Sequence, residues 1–227
     1  TTTGSGSILL NSKGSIDLSG SLTTAGGYAY LYADSDNGGA GASGGRIYVS
    51  QPISTSGGAI KLTGGTGGNG FASGLNATTK TDLAGVYVTA NLTSGGGSIT
   101  ISGAAGTGAT GDSAGAYLEG ASSTSLLTVN AGGGDITISG DLPSTTVSSQ
   151  SVRSIRVTNV NISTSGAGSV TFNSTSTVNS TAGTSKQAAL FENGNVTTAD
   201  GPITSNVNVN SNTSSGTFFV TAQSTWS

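Results

Sequence analysis

Ten carboxylates carry most of the chain's capacity for acid–base or metal chemistry: Asp17, Asp34, Asp36, Asp82, Asp112, Glu119, Asp135, Asp141, Glu192 and Asp200. There is no His and no Cys, which removes imidazole bases, thiolate nucleophiles and thiolate metal sites together. Cleavage of a glycosidic bond needs two carboxyl groups about 5–10 Å apart. Asp135 and Asp141 flank one predicted strand, and six strand residues span about 20 Å. The internal repeat places Ala59, Ser98 and Ser169 at the positions equivalent to Asp135, so no stack of acids forms there. The sequence predicts a non-enzymatic protein with no catalytic residue.

Asp34, Asp36 and Asn37, followed by two glycines, place three oxygen-bearing side chains within four residues. Such spacing suits a hard cation such as calcium. An EF-hand loop would need a bidentate Glu at its twelfth position, which is Gly45 here. Asp34, Asp36 and Asn37 therefore stand as a looser calcium candidate beside the plainer alternative of a solvated Asx-rich turn. No other cofactor is expected. Tyr48, Tyr87 and Tyr117 sit next to small residues; they make either a sugar-stacking stripe or aromatics that fill the coil interior or shield its edge. Thr100 and Ser102 match Thr137 and Ser139 in an outward hydroxyl column that Lys61 interrupts. Seven Asn-x-Ser/Thr sequons begin at Asn76, Asn91, Asn161, Asn173, Asn179, Asn195 and Asn212, about the number this composition produces unaided.

Charge narrows the partners. Only 7% of residues are charged, the net charge is −3, and seven residues are basic. Arg153, Arg156 and Lys186 lie closest together, too few to neutralise a run of phosphates, so neither nucleic acid nor an anionic membrane surface is an expected partner. Low charge also separates the chain from ordinary disordered segments. With 39 Gly, and Ser plus Thr near a third of the residues, solubility rests on hydroxyls, amides and exposed backbone. No apolar run approaches 18 residues, and the opening TTTGSGSILL lacks the form of a signal peptide, so a processed or excised piece is expected.

These side chains must be positioned by a repeat. Residues 44–68 and 84–108 align without a gap at a spacing of 39: Tyr48 with Tyr87, Ile53 with Leu92, Ile60 with Ile99, Leu62 with Ile101, Gly64 with Gly103 and Gly67 with Gly106. Looser copies begin at Leu22, Val129, Ile162 and Val196, giving six with a variable spacer. Within a copy, Ser98-Ile99-Thr100-Ile101-Ser102 alternates with the period of a strand buried on one face. The glycines before it permit a sharp corner, and Val86–Val88 forms a second strand. Each copy thus runs strand, corner, strand, then a loop such as 104–115. The pattern predicts an all-β chain with nearly no helix. Residues 185–192, the most helix-like, are expected as one turn at most or as a strand equivalent to Val86–Val88. A right-handed parallel β-helix fits best, because stacked coils need the same residue at the same angular position. A β-sandwich-like filament subunit is the alternative. Spacing leaves open one long coil or two short coils per copy. Residues 1–177 hold the regular coils; 178–227 diverge, as a terminal coil, a cap or an assembly segment.

The phrases GVYVTANLTSGGGSITISGAAGTG, YVSQPISTSGGAIKLTGGTGG and VNAGGGDITISGDL resemble, in repeat style across residues 8–205, the repeat regions of filamentous-haemagglutinin-like bacterial exoproteins, two-partner-secreted or autotransporter passengers. The resemblance implies a secreted or cell-surface β-helix acting as an adhesin or stiff stalk, with glycans or proteins of host or neighbouring cells as partners. A self-associating extracellular filament subunit is the alternative function, with the tail carrying Phe218, Phe219, Val220 and Trp226 as the donated strand. A polysaccharide-active β-helix enzyme stands behind both.

Overall fold

The structure is a computed structural model that describes residues 1, 5–38, 44–106, 113–142, 152–174, 186–207, 218–220 and 225–226. The chain winds in the right-handed sense into a three-sided β-solenoid. Every strand pairing between coils is parallel, which excludes the β-sandwich alternative. Each coil supplies one strand to each of three sheets, each sheet runs through seven successive coils, and an eighth strand, Ala72–Ser73, joins the first sheet beside Gly103–Ala104. Neighbouring strands in a sheet lie about 4.8 Å apart.

The coil containing residues 86–104 shows the unit. Val86–Val88 lies in the second sheet, Leu92–Thr93 in the third and Ile99–Ala104 in the first. The repeat is therefore three strands per coil, one strand more than periodicity alone revealed, because Leu92–Thr93 is too short to display an alternation. The sequence spacing proves to be one coil per copy: Leu22 pairs with Ile53, Ile53 with Leu92, Leu92 with Val129, Val129 with Ile162, and Ile162 with Val196. Lys186–Glu192 is a strand, and Ala189 to Phe191 occupy the register of Val86 to Val88. Pairing continues past residue 178 through Asn195–Thr197 and Ile203–Val207. The described residues contain one α-helix, Lys80–Leu83, and a single 3₁₀ turn, Thr66–Gly68. None of their helices is long and apolar enough to cross a membrane.

A single apolar core fills the triangular interior, with columns such as Ile60, Ile99, Ile136 and Val170 from the first sheet. Volume is traded between columns. Where the second sheet offers only Ala189, the core also holds Phe172 and Phe191 in edge-to-face contact with centroids 4.8 Å apart. The outer face of each strand meets water or a loop, which is why alternation is legible in a parallel sheet that would elsewhere be apolar on both faces.

The corner from the third sheet to the first carries the tightest packing. Gly6, Gly27, Gly58, Gly97, Gly134, Gly168 and Gly201 form a column, each two residues before its first-sheet strand. A Cβ on any of the last six would come within 2.0–2.5 Å of the preceding glycine's backbone. A hydroxyl three or four residues upstream staples five of these turns: Thr24 donates to the Gly27 carbonyl, Thr55 to Gly58, Ser94 to Gly97, Thr164 to Gly168 at 2.6 Å and Thr198 to Gly201 at 2.6 Å. Thr24, Thr55 and Ser94 are wholly buried and also reach the next coil's carbonyls at 3.3, 3.3 and 3.0 Å. Left-handed residues, such as Gly95 at φ 67°, let the chain turn into this corner.

In urea denaturation, Gly97→Ala should lower stability by about 1–3 kcal/mol through forced overpacking. Thr55→Val should lower it by about 1–3 kcal/mol by removing a buried hydroxyl's bonds to the Gly58 and Ser94 carbonyls. Gly14→Ala, whose Cβ meets nothing within 4 Å, should stay within about 0.5 kcal/mol of the parent. Equal effects at Gly97 and Gly14 would refute the column.

Candidate functional site: a tyrosine ladder and its ion pairs

In the second sheet, the residue after each of Ile16, Ile47, Val86, Ala116, Ile155 and Ala189 points away from the core. Register places Asp17, Tyr48, Tyr87, Tyr117, Arg156 and Leu190 in one outward column. Tyr48 and Tyr87 stack with centroids 5.3 Å apart and planes 14° apart; Tyr87 and Tyr117 follow at 4.9 Å with a 40° tilt. Although outward-facing, Tyr87 is 4% exposed and Tyr117 1%. The long excursion between Gly64 and Val86 folds back over them, and Ala84 and Ala114 complete a small apolar cluster separate from the main core. Of the sequence-level alternatives, these rings shield the sheet rather than present an open stacking stripe.

The excursion is held by its short helix. Thr79 caps Lys80–Leu83: its hydroxyl accepts from the Asp82 backbone N–H at 3.3 Å and donates to Asp82 Oδ2 at 2.8 Å, while Leu83 is buried. Cations close the ladder. Arg46 lies 5.9 Å from the Tyr48 centroid, Lys80 5.7 Å from both Tyr87 and Tyr117, and Arg156 4.9 Å from Tyr117. Acids tie the cations down. Arg46 Nε donates to Asp82 at 2.8 Å and its terminal nitrogens grip Asp17. Lys80 Nζ donates to Glu119 Oε2 at 2.7 Å, the Tyr87 hydroxyl donates to the same oxygen, and the Tyr117 hydroxyl reaches Oε1 at 3.2 Å. Arg156 pairs with Glu192 at 3.6 Å.

These contacts set the protonation states. Burial opposes the charge on Glu119, yet the Lys80 ammonium and the Tyr87 hydroxyl hold its carboxyl below the ordinary value. The Thr79 hydroxyl does most to lower Asp82, with burial opposing and Arg46 adding to the fall. Burial, then the hydrogen bond to Glu119, pushes the Tyr87 hydroxyl far up. Burial disfavours the Arg46 charge, but Asp17 and Asp82 outweigh it. Asp17 and Asp82 do converge, but on one guanidinium that occupies them both.

The other sequence candidates disperse. Asp34 is buried with φ 50°, and its carbonyl accepts from Asn37 N at 3.0 Å and Gly65 N at 3.2 Å. Asp36 points outward, 4.0 Å from Lys13. Asn37 bridges to Thr66 on the next coil, accepting at 3.2 Å and donating at 3.1 Å. Asp36 and Asn37 thus turn to separate side-chain partners, and no group of three acids among the described residues could hold a metal ion. Asp135 accepts from the backbone and hydroxyl of Ser169, both at 2.8 Å, and these bonds lower its pKa. Thr100, Ser102, Thr137 and Ser139 form the half-buried outward columns expected of them, while Lys61 lies 5.4 Å from the Tyr30 centroid. Sequon residues Asn161 and Asn195 pair through their amides at 2.9 Å, Asn173 accepts from Asn206 at 3.0 Å, and Asn91 accepts from Thr128 N at 2.8 Å. Phe218–Val220 and Thr225–Trp226 pair in parallel with Ala189–Phe191 and Asn195–Val196 of their own chain. Asp112, Asn179, Asn212 and Thr217 lie outside the described residues.

Sequence reasoning missed Arg46, Lys80 and Glu119. Arg46 and Lys80 arise from excursions of unequal length, so no fixed spacing links them to their partners. The only signal was the recurrence of tyrosine at equivalent positions.

The ion pairs predict two pH limits. Glu119 and Asp82 titrate below their ordinary values of 4.5 and 3.8, so the stability they lend is complete above those values and disappears as pH falls below them. Tyr87 titrates above the ordinary 10.0, so its contribution is complete below that pH and disappears as pH rises past it. Phenolate absorbance should include a phase above pH 10.0 that appears only as the fold is lost and that Tyr87→Phe diminishes; an alkaline titration unchanged by Tyr87→Phe would contradict the ladder. No family model, no curated protein and no solved structure matches this chain.

Proposed function

We propose that this chain is a segment of a non-enzymatic extracellular rod that displays loops for attachment to the surfaces of other cells. One observation carries this reading. In the coils after the first, the longest stretches of sequence between strands of different sheets, 34–46, 65–85, 105–112, 142–151, 175–185 and 208–217, all fall between a first-sheet strand and the second-sheet strand that follows it. A stiff scaffold with variable loops along one edge is the arrangement expected of a display surface. The neutral surface and the filamentous-haemagglutinin-like repeat style support the extracellular assignment. Replacing 107–112 and 143–150 by short Gly-Ser links should leave the melting temperature nearly unchanged and reduce binding of the immobilised protein to a lawn of host or neighbouring cells. Undiminished attachment would count against loop display.

A second reading is a filament subunit built by end-to-end stacking, which the uniformly parallel pairing between coils favours because each coil presents the same edge pattern as the one before it. By electron microscopy, the chain should then form filaments that disappear when residues 206–227 are deleted. Single particles before deletion dismiss this reading.

A further inference from the structure

Two departures from the coil pattern meet in one place. Elsewhere the corner from the second sheet to the third is short: residues 50–52, 89–91, or Asn159 alone, the last with φ 57°. Between Glu119 and Leu127 it widens to residues 120–126, closed on itself by reciprocal backbone hydrogen bonds between Ser122 and Ser125 at 3.1 and 3.4 Å. The widened corner faces 89–91 of the preceding coil. Between them lies a shallow groove of two adjoining lobes, about 290 and 250 Å³, which share Thr89, Gly120 and Ala121. Lys80 and Glu119 close the first lobe; Pro52, Asn91 and Leu126 belong to the second. Neither Lys80 nor the widened corner is a repeat feature, and the groove needs both.

The unspent donors facing this space are on Lys80 and Asn91. Lys80 spends one of its three donors on Glu119 at 2.7 Å, and its side chain is 46% exposed. Asn91 uses its oxygen on Thr128 N, leaving the amide NH₂ for a ligand. Thr89 donates to the Val49 carbonyl at 3.3 Å, so its oxygen is left to accept. Glu119 is already committed on both oxygens. The walls between are small apolar or backbone surfaces at Pro52, Ala90, Ala121 and Leu126.

We propose that this groove binds an acidic glycan, with a sugar carboxylate on the Lys80 ammonium and the adjoining sugar along Pro52, Asn91 and Leu126. The proposal deepens the attachment reading and rests on it for the class of partner. A charge-assisted bond to Lys80 selects the anion, while hydroxyl and amide groups suit a sugar's hydroxyls. An acidic peptide fits less well. Every strand flanking the groove is paired on both edges, so no edge is open for a peptide backbone to extend.

The test is a nitrogen-15 NMR titration of the intact chain with tetragalacturonic acid, its carboxyl-reduced counterpart and hexaglutamate. Saturable shifts at Lys80, Thr89, Gly120 and Ala121 are expected with the uronate. Reduction of its carboxyls should weaken binding about tenfold or more, the scale of one charged hydrogen bond. Lys80→Gln should weaken uronate binding similarly and Lys80→Arg should keep most of it. Ala121→Trp, which fills the groove and leaves the Lys80 and Glu119 side chains themselves unsubstituted, should abolish binding while the remaining spectrum is preserved. Absence of saturable shifts, equal binding of the reduced oligomer, or equal binding of hexaglutamate overturns the proposal. Loop shortening leaves the groove in place, so failure of the cell-attachment experiment and failure of this titration are separately visible.

Discussion

The close approach of backbones at the glycine column is the constraint on which the solenoid depends. Adjacent coils can stack at strand spacing only if nothing projects between them at the corner, and a Cβ there would overlap the preceding carbonyl. The hydroxyls of Thr24, Thr55, Ser94, Thr164 and Thr198, the first four buried, complete the device. Each pulls its glycine carbonyl into the turn, fixing the angle at which the third sheet gives way to the first. Ala131 stands where the hydroxyl would fall in one coil, so the column tolerates a missing staple more readily than a missing glycine. That ordering follows from the physics: overlap with a backbone has no cheap escape, whereas one lost hydrogen bond costs about 1 kcal/mol.

A solenoid assembled this way leaves its outer faces to be defined coil by coil. The inner columns must share one width, so they are confined to Ile, Val, Leu, Ala and an occasional Phe. Outward positions carry no such limit. On the first sheet they become hydroxyl and amide columns; on the second, a tyrosine ladder roofed by a loop. The ladder demands the charges around it. Tyrosine hydroxyls buried beneath a loop need acceptors, Glu119 supplies one, and a partly buried carboxylate in turn needs Lys80. A chain with only 7% charged residues concentrates several of them here, which marks this face as the region where the repeat has been modified.

The modification has a consistent geometry. Long excursions leave at the corner from the first sheet to the second and can wrap the second sheet without disturbing the stapled corner. The one widened corner elsewhere, 120–126, lies beside the roofed tyrosines. Structural regularity and recognition are thus divided between corners. One corner is closed by backbone contact, and the others accept length.

How much of this was legible in the sequence follows the same division. Wherever a residue's role repeats every coil, its column was visible: Ile53, Leu92 and Val129 inside, Thr100 and Thr137 outside, and the loss of helix through glycine and β-branched content. The two-residue third-sheet strands were not visible, since so short a segment shows no period. The hydroxyl staple was hidden in a chain rich in Ser and Thr, where composition masks position. Loops of unequal length erased any spacing between Arg46, Asp17 and Asp82, or between Lys80, Glu119 and the tyrosines. The sequence by itself determined a parallel, glycine-cornered coil, because stacking imposes the same chemistry at each turn. Only the tertiary structure decided where the charges meet and where the groove opens, because those contacts join residues some thirty to forty positions apart through excursions that obey no repeat.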